Sequence, residues 1–315
     1  MTTGVIHVRR PGLLTTVQDL GRWGHQATGV PVAGPMDTYS HRLANLLVGN
    51  NASAAGLEIT LLGPELEFDC TTTVAICGAE FDVTCNGQSV PTGLSFNVSP
   101  GARLQFGRRR AGARAYLAVA GGLQTPIVLG SRATHLVSAM GGIAGRALAA
   151  GDQLAIQPSA GPARTRRASG MILPASGGAL LRLLPGPQAD AFPPEAAHTL
   201  STVSFRVSPR SNRMGYRLEG PPLIRRIGPE PISEPLAFGA IQVPAAGEPI
   251  LLMADRQTAG GYPKIASVIA ADLPIAGQLA PGDRIEFSWA SRQEAAAALI
   301  ARERSLLRVS DQQPA

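Results

Sequence analysis

Three stretches of the chain share one pattern: a glycine-containing turn, a polar residue, then apolar positions on alternate residues. They are SPGARLQF (99–106), LAAGDQLAI (148–156) and LAPGDRIEF (279–287). Such alternation after a tight turn marks a half-buried strand, because successive side chains point to opposite faces. Short apolar runs between turn signals predict further strands at Leu66–Phe68, Val74–Ile76, Phe81–Cys85, Ala115–Val119, Leu180–Leu184, Val203–Val207 and Ile250–Met253. These runs suit a barrel or sandwich, since a doubly wound sheet would need a crossover helix after nearly every strand. Asp37 is a good N-cap for a helix presenting Leu43, Ala44, Leu46 and Leu47 and stopped by Gly49. Ser291 with Glu294 forms a capping box that opens a C-terminal helix through about Leu307. The predicted fold class is mainly β: two β-rich domains with few short helices.

A chain of 315 residues is longer than single cores usually sustain, which favours two domains. QPSAGPARTRRASGMILPASGG (157–178) is the best linker candidate by its Pro, Gly, Ser and Arg content. The expected division is 1–160 and 178–315, with a linker at about 161–177; a long loop inside one fold is the competing reading.

Composition narrows the function classes. Gly (36) and Pro (26) are abundant and only 16% of residues are charged, as expected of a turn-rich β protein. The net charge of +6 rests almost wholly on scattered arginines, with Lys264 the single lysine, and only 4% of residues are aromatic. No stacking platform for nucleic acid is therefore encoded. The start MTTGVIHVRRPG has no apolar run behind its charges, and no segment has the ~20 apolar residues of a membrane span. Cys70, Cys77 and Cys85 cannot all pair and lack metal-ligand spacing, so reduced thiols and a cytoplasmic location are expected.

Several chemistries are missing from the sequence. There is no Walker-type phosphate loop, no G-x-S-x-G elbow, and no metal spacing among His7, His25, His41, His135 and His198. No catalytic residue can be assigned, and no metal is expected. Four Gly-bearing stretches are instead dense in polar groups. Residues 15–37 hold Gln18, Asp19 and Arg22; 211–220 hold Asn212, Arg213, Tyr216 and Arg217; 231–244 hold Ser233, Glu234 and Gln242; and ADRQTAGGYPK (254–264) holds Asp255, Gln257 and Tyr262. Amide and guanidinium groups bind small amides and carboxylates in planar, often bidentate fashion, and glycines let backbone N–H groups approach a ligand. A small planar ligand fits this inventory. Structural roles remain open: Asp19 with Arg22 and Asp255 with Arg256 as ion pairs or turn bonds, Tyr216 and Tyr262 as core aromatics, and Lys264 as a solvated lysine.

The stretches TTVQDLGRWGHQATGVPVAGPMD, LEITLLGPELEF, AYLAVAGG, LGSRAT, SNRMGYRLEG, SEPLAFGAIQVP, ADRQTAGGYPKIASVIAADL and PGDRIEF occur in the order seen in the biotin-dependent carboxyltransferase family. The chain resembles that family from about residue 5 to 288. Its members include the C subunit of 5-oxoprolinase and have often been labelled allophanate hydrolase subunit 2. The resemblance implies a cyclophilin-like barrel and a role within an ATP-dependent assembly with A-like and B-like subunits, converting 5-oxoproline to glutamate. The chain alone is then expected to be inactive and to bind no cofactor tightly, with ATP used by the assembly. An alternative is the carboxyltransferase component of a urea or amide carboxylase, with biotin visiting from another chain; a non-enzymatic regulatory partner of the B-like protein is a third. The expected substrate-binding residues are Asn212, Arg213, Arg217, Gln242, Asp255, Gln257 and Tyr262, with Gln18, Asp19 and Arg22. Arginines are assigned to the substrate carboxylate and amide side chains to the lactam. Ala259 stands where the family pattern has a second Thr, and Arg132-Ala133 where Ser is commoner. A Ser-Ser-Lys amidase is excluded, because neither its nucleophile loop nor its catalytic lysine can be placed.

Overall fold

The computed structural model describes residues 4–157, 165–168, 177–226, 228 and 231–310. The chain divides into two compact units, the first comprising 1–23, 33–173 and 303–315 and the second 24–32 and 174–302. This division departs from the sequence expectation in two segments. Residues 24–32 count with the second unit, and the end of the C-terminal helix counts with the first. Most of the expected linker, 161–164 and 169–176, lies outside the described residues.

The first unit is an antiparallel sheet built from β1 (Gly4–Arg10), β2 (Leu14–Gln18), β3 (Gly56–Thr60), β4 (Glu65–Phe68), β5 (Thr72–Cys85), β6 (Gln88–Ser89), β7 (Ser95–Val98), β8 (Arg103–Val119) and β9 (Gln153–Ile156). Strand order is β2-β3-β8-β4-β1-β9, and β5 pairs β8 while carrying β6 and β7. The separate strand signals at Val74–Ile76 and Phe81–Cys85 belong to one 14-residue strand. Its first half is buried on both faces, which explains why no alternation marks it: Val74 and Ile76 enter the sheet core, whereas Ala75 and Cys77 pack under a helix.

That helix is α1 (Thr38–Leu47), capped by Asp37, whose Oδ1 accepts the Ser40 amide at 2.8 Å. Its Tyr39, Leu43, Ala44 and Leu47 pack on Ala75, Cys77, Tyr116 and Ala118, joined by Leu306 and Val309. Arg42 grips Glu303 through two bonds of 2.6 and 2.7 Å, which fastens the C-terminal helix to α1.

The second unit contains β10 (Gly178–Pro185), α2 (Pro194–Thr202), β11 (Phe205–Val207), β12 (Gly215–Glu219), β13 (Glu234–Pro235), β14 (Ala240–Gln242), β15 (Ile250–Leu252), β16 (Ala259–Gly260), β17 (Lys264–Val268), α3 (Leu273–Gly277), β18 (Arg284–Trp289) and most of α4 (Arg292–Ser310). Seven strands close a barrel in the order β10-β17-β14-β15-β12-β11-β18, sealed by parallel pairing of β18 with β10. The barrel and the mainly β class agree with expectation. The last helix is not short: α4 runs 19 residues, and its predicted capping box is formed, Ser291 N to Glu294 Oε2 at 2.7 Å and Glu294 N to Ser291 Oγ at 3.1 Å. Inside the barrel, the Phe205 and Phe287 rings lie 6.1 Å apart, with Leu181, Leu183, Ile241 and Leu251 also buried.

Candidate functional site

Side-chain alternation divides the barrel wall into two faces. Tyr216, Leu218, Ile241 and Leu251 are buried on one face of β12, β14 and β15, while Gly215, Arg217, Gln242, Ile250 and Leu252 line a cavity on the other. Cross-strand pairing fixes this arrangement: Gly215 stands opposite Leu252, Arg217 opposite Ile250, and Gln242 opposite Ile250. A two-stranded flap forms the opposite wall. In it Glu234 and Pro235 of β13 pair with Gly260 and Ala259 of β16, and Leu236 N donates to Thr258 O at 3.0 Å. The cavity has a volume of about 520 Å³, within the range of small-molecule sites.

Among the described residues the lining carries charge of one sign. Arg210 and Arg217 are its charged residues; among the described residues that line it there is no carboxylate, imidazole or thiol. Arg210 lies 3.7 Å from Glu248, both well exposed, whereas the Arg217 guanidinium has no ion-pair partner among the described residues. Gln242 is only 5% exposed and its Nε2 has no hydrogen-bond partner among the described residues. A buried, unmade N–H costs about 1–3 kcal/mol, so such a group needs a reason. Gly260 preserves the space around it, because a Cβ there would come within 3.1 Å of Gln242 Nε2 and 3.0 Å of Leu236 Cδ1.

Five residues expected from sequence meet at this cavity: Asn212, Arg217, Gln242, Gln257 and Tyr262. Asn212 also makes a turn bond, its Oδ1 accepting the Met214 amide at 2.8 Å. Arg213 and Asp255 do not line the cavity. They form a bidentate ion pair at 2.9 and 3.0 Å with side chains 5% and 2% exposed, and the Asp255 amide donates to Arg213 O. This pair ties the loop before β12 to the loop after β15 and so holds two cavity-bearing segments together. Arg256 stays on the flap side, donating from Nε to Leu236 O at 2.9 Å with its guanidinium 5.6 Å from the Phe238 ring.

Gln18, Asp19 and Arg22 lie in the first unit, where each is engaged internally. Asp19 accepts from Gly21 N, Ser131 Oγ and Arg132 N, and Gln18 Nε2 donates to Thr16 Oγ1 and Thr134 O. Arg22 donates to Val128 O and Ala133 O, and a Cβ on Gly141 would collide with that guanidinium and the Ala133 carbonyl. Their contacts organise the turn-rich stretch 125–147. The same unit buries a second polar group: Tyr116 donates to Glu58 at 2.7 Å and accepts the Asp37 amide, with His41 edge-on to its ring. Burial holds the His41 pKa below its ordinary value.

Tyr216 is a core aromatic, its hydroxyl donating to Leu279 O at 3.4 Å, and Tyr262 is 47% exposed at the cavity. Lys264 is buried rather than solvated. Arg210, Met214 and Leu236 line the cavity without having been expected. Arg210 was legible, since it immediately precedes the polar stretch 211–220 and stands two residues before Asn212. The three cysteines are free, and burial pushes the Cys77 thiol far up. Among the described residues no cluster of His, Cys, Asp and Glu could hold a metal, and no helix is long and apolar enough to cross a membrane.

Residues 28–289 match the family model described as carboxyltransferase domain, subdomain A and B. The chain belongs to this carboxyltransferase-domain family. It is 40% identical to the 5-oxoprolinase C subunit of Escherichia coli over 291 residues, covering 92% of this chain and 93% of that protein. Identity to the C subunit of Haemophilus influenzae 5-oxoprolinase is 37% over 281 residues, 89% of this chain and 90% of that one. Among solved structures, Kluyveromyces lactis urea carboxylase superposes with a TM-score of 0.90 at 32% identity; 98% of this chain is covered but only 29% of that longer chain. Family members thus occur both as separate subunits and as parts of much longer chains.

Proposed function

We propose that the chain is the C subunit of an ATP-dependent 5-oxoprolinase and acts with A-like and B-like subunits to open 5-oxoproline to glutamate. The observation that carries this reading is the cavity's inventory: a guanidinium without counter-charge, a buried carboxamide N–H without acceptor, and no acidic lining group among the described residues. 5-Oxoproline complements both ends. Its carboxylate suits Arg217, with Arg210 nearby, and its lactam carbonyl is an acceptor for Gln242 Nε2. Likeness to two 5-oxoprolinase C subunits supports the choice of a lactam over other planar amides.

Among the described residues that line it, none is suited to carry a proton at neutral pH. This chain therefore binds and polarises, while nucleophile activation and ATP use fall to the partner subunits. Asn212, Gln257 and Tyr262 supply the polar rim, and the Arg213–Asp255 pair keeps the two bearing loops in register. Production with its partners tests the assignment: ATP-dependent glutamate release from 5-oxoproline should require this chain, and full activity without it would overturn the proposal.

The superposition on urea carboxylase favours a second reading, amide carboxylation. The ureido ring of biotin is a planar acceptor that Gln242 and the flap amides fit, and carboxylated biotin would supply the transferred carboxyl group. ATP consumption dependent on urea and a biotin-bearing partner, with none on 5-oxoproline, would select it.

A further inference from the structure

The flap is anchored by a group that lies outside the cavity lining. Glu234 Oε1 on β13 lies 2.5 Å from Lys264 Nζ on β17 and accepts from Gln188 Nε2 at 2.6 Å. Gln188 Oε1 in turn accepts the Lys264 amide at 3.1 Å, so the turn after β10 completes the cluster. The lysine side chain is 4% exposed and the glutamate 38%. Among the described residues Glu234 is the acidic partner of this ammonium, and the ammonium is the sole lysine of the chain. Lys264 pairs with Gln242 across the strands, next to a bulge that shifts the register after Ile241.

A buried ammonium is tolerated only when paired, and here the counter-charge is carried by the flap strand β13. Lifting β13 would strand the lysine, so the pair favours the closed flap. Among the described residues the flap is otherwise held by two residues of pairing per strand, the Leu236 amide bond, the Arg256 bond to Leu236 O, and Leu236 packed on Ala240 and Leu252. Short two-stranded ribbons are marginal without such support.

We infer that Lys264 is a positioning residue: through Glu234 it holds the β13–β16 flap over Gln242 and thereby sets how tightly the cavity retains its ligand. The part concerning the ligand rests on the 5-oxoprolinase reading; the part concerning the flap does not. Lys264→Met keeps the apolar stem and leaves Glu234 to water, so no unpaired charge is buried. Hydrogen exchange on the free chain, read in peptides covering 233–236 and 258–262, should accelerate roughly tenfold in Lys264→Met and Glu234→Gln, with the barrel strands unchanged. Lys264→Arg, which keeps the charge, should restore slow exchange. In the assembled complex Lys264→Met should raise KM for 5-oxoproline by about tenfold while kcat moves by less than about twofold. Unchanged flap exchange in both variants would overturn the inference. Faster exchange with unchanged KM would remove the ligand-retaining role and refute the cavity as the lactam site.

Discussion

Replacing Gln242 with leucine separates binding from stability, because the two respond in opposite directions. The carboxamide is 5% exposed, its Nε2 has no partner among the described residues, and Leu236, Ile250 and Leu252 line the same cavity. Leaving a buried donor unsatisfied costs about 1–3 kcal/mol, and an apolar group of similar volume recovers part of that and adds contact with its neighbours. The variant should gain about 1 kcal/mol, a rise in Tm of a few degrees by calorimetry, given about 2–8 °C per kcal/mol for domains of this size range. The ligand loses one hydrogen bond, worth about 0.5–1.5 kcal/mol, so KM for 5-oxoproline should rise about two- to tenfold. A lower Tm would show that Gln242 is satisfied in the free protein. A raised Tm with unchanged KM would show that its free N–H does not meet the substrate.

Three other perturbations test the frame around the cavity and the first unit. Asp255→Ala removes the carboxylate that two guanidinium bonds of Arg213 engage at 5% and 2% side-chain exposure, and should cost about 3 kcal/mol in denaturant unfolding; a loss below about 1 kcal/mol would deny it a clamping role. His41 is buried with its pKa held below 6.5 by desolvation, so the folded state binds its proton less readily than the unfolded state. Its contribution is complete above about pH 6.5 and shrinks as pH falls toward the depressed folded-state value; His41→Gln should flatten that slope, and an unchanged pH profile would contradict it. Cys77 is fully buried, so a thiol reagent should leave it unmodified in the native protein and reach it only on unfolding. Rapid native labelling at Cys77 would show that the packing of α1 on β5 is looser than described.

The strands most legible in the sequence were those with one wet face, such as Leu66–Phe68 and the turn-led strands after Gly101, Gly151 and Gly282. β5 and β8 were seen only in fragments, because bulges break their register and α1 covers the second face where polar alternation would have appeared. β12 was hidden by its own chemistry: GYRLE reads as a polar motif, yet Tyr216 and Leu218 face the core while Gly215 and Arg217 face the cavity. Within the candidate site, residue type pointed to cavity-bearing stretches but not to the role of each side chain. Arg213 and Asp255 look no different in sequence from Arg217 and Gln257; only folding shows that the first two form an ion pair. Gln18, Asp19 and Arg22 carry the same chemistry, and groups of the 125–147 segment absorb it. Pairing across distant segments is information a single sequence does not display.

Arg217 is the group on which the assignment turns, since among the described residues its guanidinium has no ion-pair partner and the cavity lining holds no acid. Steady-state glutamate release by the complete complex carrying Arg217→Ala measures its role directly. Loss of a charge-assisted bond of about 1.5–3 kcal/mol predicts a fall in kcat/KM for 5-oxoproline of roughly 10- to 150-fold. Activity within about twofold of the unaltered complex would contradict the claim that this cavity holds the substrate carboxylate.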